Sequence, residues 1–213
     1  MSEFVVHGIH GSPFVRAVQL VLEEKGVPWR LQAMALGDRQ TRLTLHPFGR
    51  MPVLDHGEFR LYETQAILRY IDDVLPEPAL QPKDPKAAAR MNQVMGVNDW
   101  YLFPQVTAVI GFHRIVGPKL MGLTPDEAKI AEAMPNAHAC IRELERLMDG
   151  QPFFAGSQLT LADLMVVPHL AFLAMTPEGE ALLQDSPLKA WLARMDSRPS
   201  LQATRWQLLD QAA

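Results

Sequence analysis

One cysteine, Cys140, stands among the 213 residues. No disulfide can form within the chain, which fits a reducing compartment. No stretch reaches the run of about 18 apolar residues that a membrane-spanning helix needs. The N-terminus runs straight into FVVHGI, without the basic stretch, apolar core and small-residue cleavage site of a secretory signal. Positive charge is not in excess either. Twenty Lys and Arg face 24 Asp and Glu, for a net charge of −4 and a pI near 6.0. The chain thus lacks the basic footprint of a nucleic-acid binder. It has no internal repeat and no low-complexity tract. These absences lead to the expectation of a cytoplasmic protein with no nucleic acid and no membrane as partner.

Apolar residues make up 48% of the sequence, enough for one large domain or two modest ones. The first 75 residues change rhythm repeatedly. FVVHGI is a short β-branched run, broken at Gly11-Ser12-Pro13. Val15, Val18, Val21 and Leu22 then follow a helical period. Gly26 stops that helix, as glycine does just past a C-terminus. Trp29 to Met34 alternates as a half-buried strand would, and Gly37 to Thr44 is a looser polar segment. Residues 49–64, GRMPVLDHGEFRLYET, hold two short apolar runs around Asp55-His56-Gly57, which is a hairpin signal. Helical spacing follows to about residue 75. The order is strand, helix, strand, loop or helix, strand, strand, helix. This is a βαβ unit joined to a ββα unit, the thioredoxin-like arrangement.

Residues 76–86 (PEPALQPKDPK) contain four prolines and read as a linker. Beyond them the strand signal disappears and four long segments have helical spacing. Pro135 and Pro168 fall inside two of these and are expected to kink them or to mark helix starts. The expected fold is α+β: a thioredoxin-like domain at 1–75, a linker at 76–86, and an all-helical bundle at 87–213. Thr160-Leu161-Ala162-Asp163 has the form of a capping box.

Two features mark candidate chemistry. Ser12 precedes Pro13, and a serine before a proline at a first helical position is a common N-cap. The same hydroxyl at a helix start can instead serve an anion. Glu63-Thr64 sits where the hairpin hands over to a helix, a second anion-friendly helix start, although a capping threonine with an acid beside it would look the same. His7 and His10 have a spacing that suits a metal on a turn, but no third ligand accompanies them, and no metal is expected. Arg16 reads as a structural ion-pair partner.

Four stretches in order resemble the glutathione S-transferase superfamily: GSPFVRAV, the hairpin at 49–64, FFAGSQLTLADLMVVPHL and PLKAWLARMDSRPSLQAT. The first looks like the serine-type segment of theta, phi, tau and related bacterial members. The first segment has neither a tyrosine nor a cysteine at the activating position. The resemblance implies glutathione as co-substrate, with the Ser12 hydroxyl donating to its sulfur and Phe14 close by. It implies a cis bond before Pro52, with the Met51 backbone pairing to the cysteinyl part. Glu63 and Thr64 would take the γ-glutamyl ammonium and carboxylate. Arg50 would hold the glycyl carboxylate, with Arg39, Gln40 and His46 as further candidates. Trp100, Phe103, Phe112 and His113 would contribute an apolar pocket for a small-molecule electrophile. A homodimer and a detoxification role also follow from the resemblance. Two alternatives stay open. One is a glutathione-dependent isomerase, dehalogenase or ether-cleaving enzyme on the same scaffold. The other is a non-catalytic binding module.

Overall fold

The computed structural model describes residues 3–206. Contacts divide the chain into two units, the first running to Gln81 and regaining the segment that begins at Ser197, the second spanning Pro82–Asp196.

In the first unit the expected alternation is realised in the order β1 (Phe4–Gly8), α1 (Pro13–Lys25), β2 (Trp29–Ala33), α2 (Arg39–Leu45), β3 (Val53–His56), β4 (Phe59–Tyr62) and α3 (Thr64–Val74). The polar segment after residue 37 thus resolves to a short helix, capped by Asp38, whose carboxylate accepts from the Thr41 N–H at 3.0 Å. The four strands form one sheet in the order β2-β1-β3-β4. β1 and β2 are parallel, while β1–β3 and β3–β4 are antiparallel. Helices α1 and α3 pack together, burying Val15, Val18, Leu22, Ile67, Leu68 and Ile71, the positions that the helical period selects. Gly26 closes α1 at φ 63°.

Lys25 ends α1 inside the protein. Its ammonium meets Asp72 Oδ1 at 2.5 Å and the Pro78 carbonyl at 2.6 Å. The Leu80 N–H and the Gln81 amide donate to the same Asp72 carboxylate. This buried, hydrogen-bonded pair ties the start of the Pro-rich segment to α1 and α3. Removing one partner would leave a buried charge without compensation, a loss of about 3–5 kcal/mol. The Met51–Pro52 and Glu77–Pro78 bonds are cis; the resemblance anticipated the first, and nothing anticipated the second.

The helical half is expected to run on to residue 213, whereas residues 197–206 pack with the first unit. The reason is side-chain chemistry on α1. Arg198 donates both arms of its guanidinium to Glu24, and the Ser200 hydroxyl joins them at 2.5 Å. Arg16 donates to the Thr204 hydroxyl and the Leu201 carbonyl. These bonds seat α10 (Pro199–Ala203) against α1.

The second unit is helical. α4 (Pro85–Val97) continues into a π-wound stretch, Asn98–Thr107, a short α5 (Ala108–Gly111) and a second π-wound stretch, Phe112–Leu120. Then come α6 (Glu127–Met148), α7 (Leu161–Leu173), α8 (Pro177–Leu183) and α9 (Pro187–Asp196). Pro135 and Pro168 both lie inside helices, α6 and α7. α7 is buried on nearly every side, as expected of a helix without a polar face.

Its start carries the expected capping box. Asp163, fully buried, accepts from the N–H groups of Thr160 and Phe154 at 3.0 Å each and from the Thr160 hydroxyl at 2.9 Å. Burial pushes its carboxyl up to about 6, against the lowering effect of these donors. His169, also on α7 and fully buried, is pushed by burial down to about 3.

Candidate active site

Strand register gathers the candidate residues at one edge of the sheet. His7, near the end of β1, lies opposite Val53, the first residue of β3. Val53 in turn lies opposite Tyr62, the last residue of β4. The chain leaving β1 leads to Ser12, the chain entering β3 is Met51-Pro52, and the chain leaving β4 is Glu63-Thr64. Three segments separated by up to fifty residues in sequence therefore end side by side. Two helix N-termini, those of α1 and α3, start from this end, where first-turn N–H groups have no partner within the helix and the helix dipole is positive.

Ser12 is the N-cap of α1, with extended backbone and Pro13 behind it, but its hydroxyl makes no capping hydrogen bond. The Ser12 N–H is held by the Ile9 carbonyl at 3.2 Å, and its carbonyl accepts from Arg16 N–H at 2.9 Å. The backbone is thus fixed while the hydroxyl remains half-buried and uncommitted to the cap. Gly11 just before it has φ 83°, and a β-carbon there would come within 2.2 Å of the Trp206 ring. Only glycine satisfies both the left-handed backbone and the close approach of the indole. Phe14 is half-buried in the first turn of α1.

At the other helix start the N-cap of α3 is Glu63, with Thr64 as the first helical residue, which is buried. Glu63 has φ 72°, a conformation costing a side-chain-bearing residue about 1–3 kcal/mol. Its carboxylate is exposed and makes no capping bond. His46, at the end of α2, is buried and faces Glu63, with Nε2 to Oε1 at 3.8 Å. Arg50 is exposed in the loop before β3, and its charge is felt at His46. Arg39 and Gln40 are exposed at the start of α2. Met51 is half-buried and Pro52 buried.

His7 is engaged elsewhere. Its Nε2 meets Asp55 Oδ2 at 2.8 Å, and Arg60 grips the same carboxylate with two bonds. This pairing across β1, β3 and β4 holds the Asp55 carboxyl below its ordinary value, Arg60 acting most strongly. Among the described residues, no group of three or more His, Cys, Asp or Glu side chains is arranged to hold a metal ion.

Comparison with known proteins identifies the family. Residues 6–79 match the family model described as glutathione S-transferase, N-terminal domain, and residues 127–194 match glutathione S-transferase, C-terminal domain. A glutathione S-transferase of Hyoscyamus muticus is 30% identical over 202 residues, covering 92% of this chain and 94% of the relative. The chain belongs to the glutathione S-transferase superfamily. Its fold agrees with solved members. Glutathione S-transferase III in apo form superposes with a TM-score of 0.84 at 28% identity, covering 95% of each chain. A glutathione S-transferase from Rhodospirillum rubrum F11 gives 0.82 at 26% identity, covering 94% of this chain and 91% of the other.

The remaining candidates of this glutathione S-transferase superfamily member lie in the helical unit. Trp100 and Phe112 are exposed, Trp100 strongly so at 74%. Phe103 is half-buried and packs edge-on against His169, with centroids 5.6 Å apart. His113 Nδ1 accepts from the Asp126 N–H at 3.3 Å, so this histidine also secures the entry to α6. All four belong to the π-wound stretches. Trp206 had no signal in the sequence that assigned it beside Gly11, because the two meet across nearly two hundred residues of sequence. His46, a candidate for the glycyl end, is found facing Glu63.

Proposed function

We propose that this protein is a glutathione transferase in which the Ser12 hydroxyl stabilises the glutathione thiolate for attack on an apolar electrophile or an organic hydroperoxide. The observation that carries this reading is a hydroxyl at a helix N-terminus that is not used as a cap. It stands at the same sheet edge as the cis Met51–Pro52 bond and the Glu63-Thr64 helix start. The energetics suffice. A free thiol titrates near 8.5, and lowering it by about two units takes about 2.7 kcal/mol. One hydrogen bond to an anion contributes about 1.5–3 kcal/mol, and a helix N-terminus adds about 0.3–1 kcal/mol.

The other contacts follow from the chemistry of the tripeptide. Thr64, at the start of α3, takes the γ-glutamyl carboxylate and Glu63 the ammonium. The Met51 backbone pairs with the cysteinyl unit as an added strand would. Arg50 holds the glycyl carboxylate, which its planar fork suits, and Arg39 and Gln40 stand at the start of α2 for the same end. Phe14 flanks the thiol. Trp100, Phe103, Phe112 and His113 in the helical unit offer apolar surface with a polar group, the composition of small-molecule sites. The reading includes a homodimer, a cytoplasmic location, a detoxification role and no metal.

The test is a titration of the purified protein with glutathione, following the ultraviolet absorbance of the thiolate at neutral pH beside Ser12→Ala. Thiolate in the wild type that disappears in the variant, with glutathione affinity kept, is the expected result. Binding without thiolate would reduce Ser12 to a helix start, and absence of binding would favour a non-catalytic module.

A further inference from the structure

We propose that His46 is a positioning residue for Glu63: its ring, locked at Nδ1, presents Nε2–H to the Glu63 carboxylate and holds it toward the ammonium of glutathione. This rests on the glutathione reading above.

Four observations carry it. The Phe48 N–H donates to His46 Nδ1 at 3.1 Å, so in the neutral ring the proton sits on Nε2. Nε2 then faces Glu63 Oε1 at 3.8 Å, too long for a hydrogen bond in the free protein but within the range of a charge-directed contact. The ring cannot turn away, because it is buried and packed against Tyr62, with centroids at 4.5 Å, and edge-on to Phe48 at 5.7 Å. Glu63, by contrast, is 68% exposed on its side chain and sits on strained backbone. It is aimed by its φ but not anchored by a cap. A rigid donor beside an exposed, uncapped acid pre-orders the acid, which is where such a residue gains affinity.

The surroundings keep His46 neutral. Burial, the largest influence, and the Arg50 charge push its pKa below the ordinary histidine value, while Glu63 pulls it upward. Two further charged or titratable side chains lie nearby. Tyr62 on β4 packs against the ring at a tilt of 40°. Arg42 on α2 donates to the carbonyls of Ala35, Leu36 and Gly49. A second proton would have to enter at Nδ1, against the Phe48 N–H. Acid would therefore break the lock and weaken ligand binding.

The experiment measures the dissociation constant of glutathione by calorimetry at neutral and mildly acidic pH. It compares the wild type with His46→Asn and Glu63→Gln and adds kcat at saturating glutathione. Asparagine can keep the bond to the N–H two residues on, but it does not titrate and is too short to reach Glu63. We expect His46→Asn to raise the constant about 3- to 10-fold at neutral pH and to leave kcat unchanged. It should also shrink, without removing, the weakening expected on acidification, because reprotonation of the bound thiolate weakens binding in both proteins. If Glu63→Gln weakens binding while His46→Asn matches the wild type at both pH values, the inference is wrong and the glutathione reading stands. If Glu63→Gln has no effect, the reading of Glu63 fails and this inference with it. Nitrogen NMR of the wild-type ring needs no variant. An Nε2–H tautomer that responds to saturating glutathione supports the proposal, and an Nδ1–H tautomer or an unresponsive ring overturns it.

Discussion

Two of the helices that start at a hydroxyl residue, α1 and α7, treat it in opposite ways. At α7 the Thr160 hydroxyl is buried and bonded to Asp163, which also collects the N–H groups of Thr160 and Phe154. At α1 the Ser12 hydroxyl is half-buried and takes no part in the cap, although the backbone on both sides of it is bonded. Burial accounts for the contrast. A polar group inside the helical unit must be satisfied within the protein, because each orphaned donor costs about 1–3 kcal/mol. At the sheet edge, a half-exposed hydroxyl can remain available for a ligand. The same sequence signature serves stability in one place and chemistry in the other.

Substitutions at the two starts should separate these roles. The largest effect belongs to Asp163→Ala, which orphans three buried donors and should cost about 3–5 kcal/mol in denaturant unfolding, with glutathione affinity of the folded fraction unchanged. Ser12→Ala should do the reverse. Turnover at neutral pH falls about 30- to 100-fold, the equivalent of about 2–2.7 kcal/mol, while unfolding moves by less than about 0.5 kcal/mol, because no capping bond is lost. Gly11→Ala joins the two effects. A β-carbon driven into Trp206 at φ 83° should destabilise the first unit by about 2 kcal/mol and lower turnover by displacing Ser12.

The smallest effect sharpens the picture of α7 itself. His169 has a folded pKa of about 3, below its unfolded value of about 6.5. The unfolded chain therefore binds the extra proton, and stability present above the unfolded value is lost as pH falls. Between about pH 6.5 and 5 this amounts to about 1.5 kcal/mol. Asp163, raised to about 6, acts with the opposite sign, gaining stability as it takes up a proton. In His169→Phe the acid loss should shrink by about 1.5 kcal/mol over that interval. Urea unfolding at the two pH values would show it, and an unchanged slope would mean that His169 is not kept neutral by burial.

The sequence was most legible where a local pattern decides. The hairpin at 49–64, the helix that Gly26 closes and the capping box at Thr160 each depend on residues a few positions apart, and each is found in the structure. Ser12, Met51, Glu63 and Thr64 could be singled out, but their meeting depends on the register His7–Val53–Tyr62, which turn residues alone do not specify. What stayed hidden depends on distant partners. Lys25 reads as an ordinary end of a helix until Asp72, forty-seven residues on, buries it. The segment after Ser197 reads as more of the helical half until Glu24 and Arg16 draw it to α1. The π-wound stretches from 98 to 120 carry apolar spacing that any helix would share.

The most direct test of the central claim is the pH dependence of kcat/KM for an electrophile at saturating glutathione, in the wild type and in Ser12→Ala. The bound thiol should titrate about two units below the free value of about 8.5 in the wild type and return to near 8.5 in the variant. An inflection that stays in place when the hydroxyl is removed would contradict the assignment of Ser12 as the group that stabilises the thiolate.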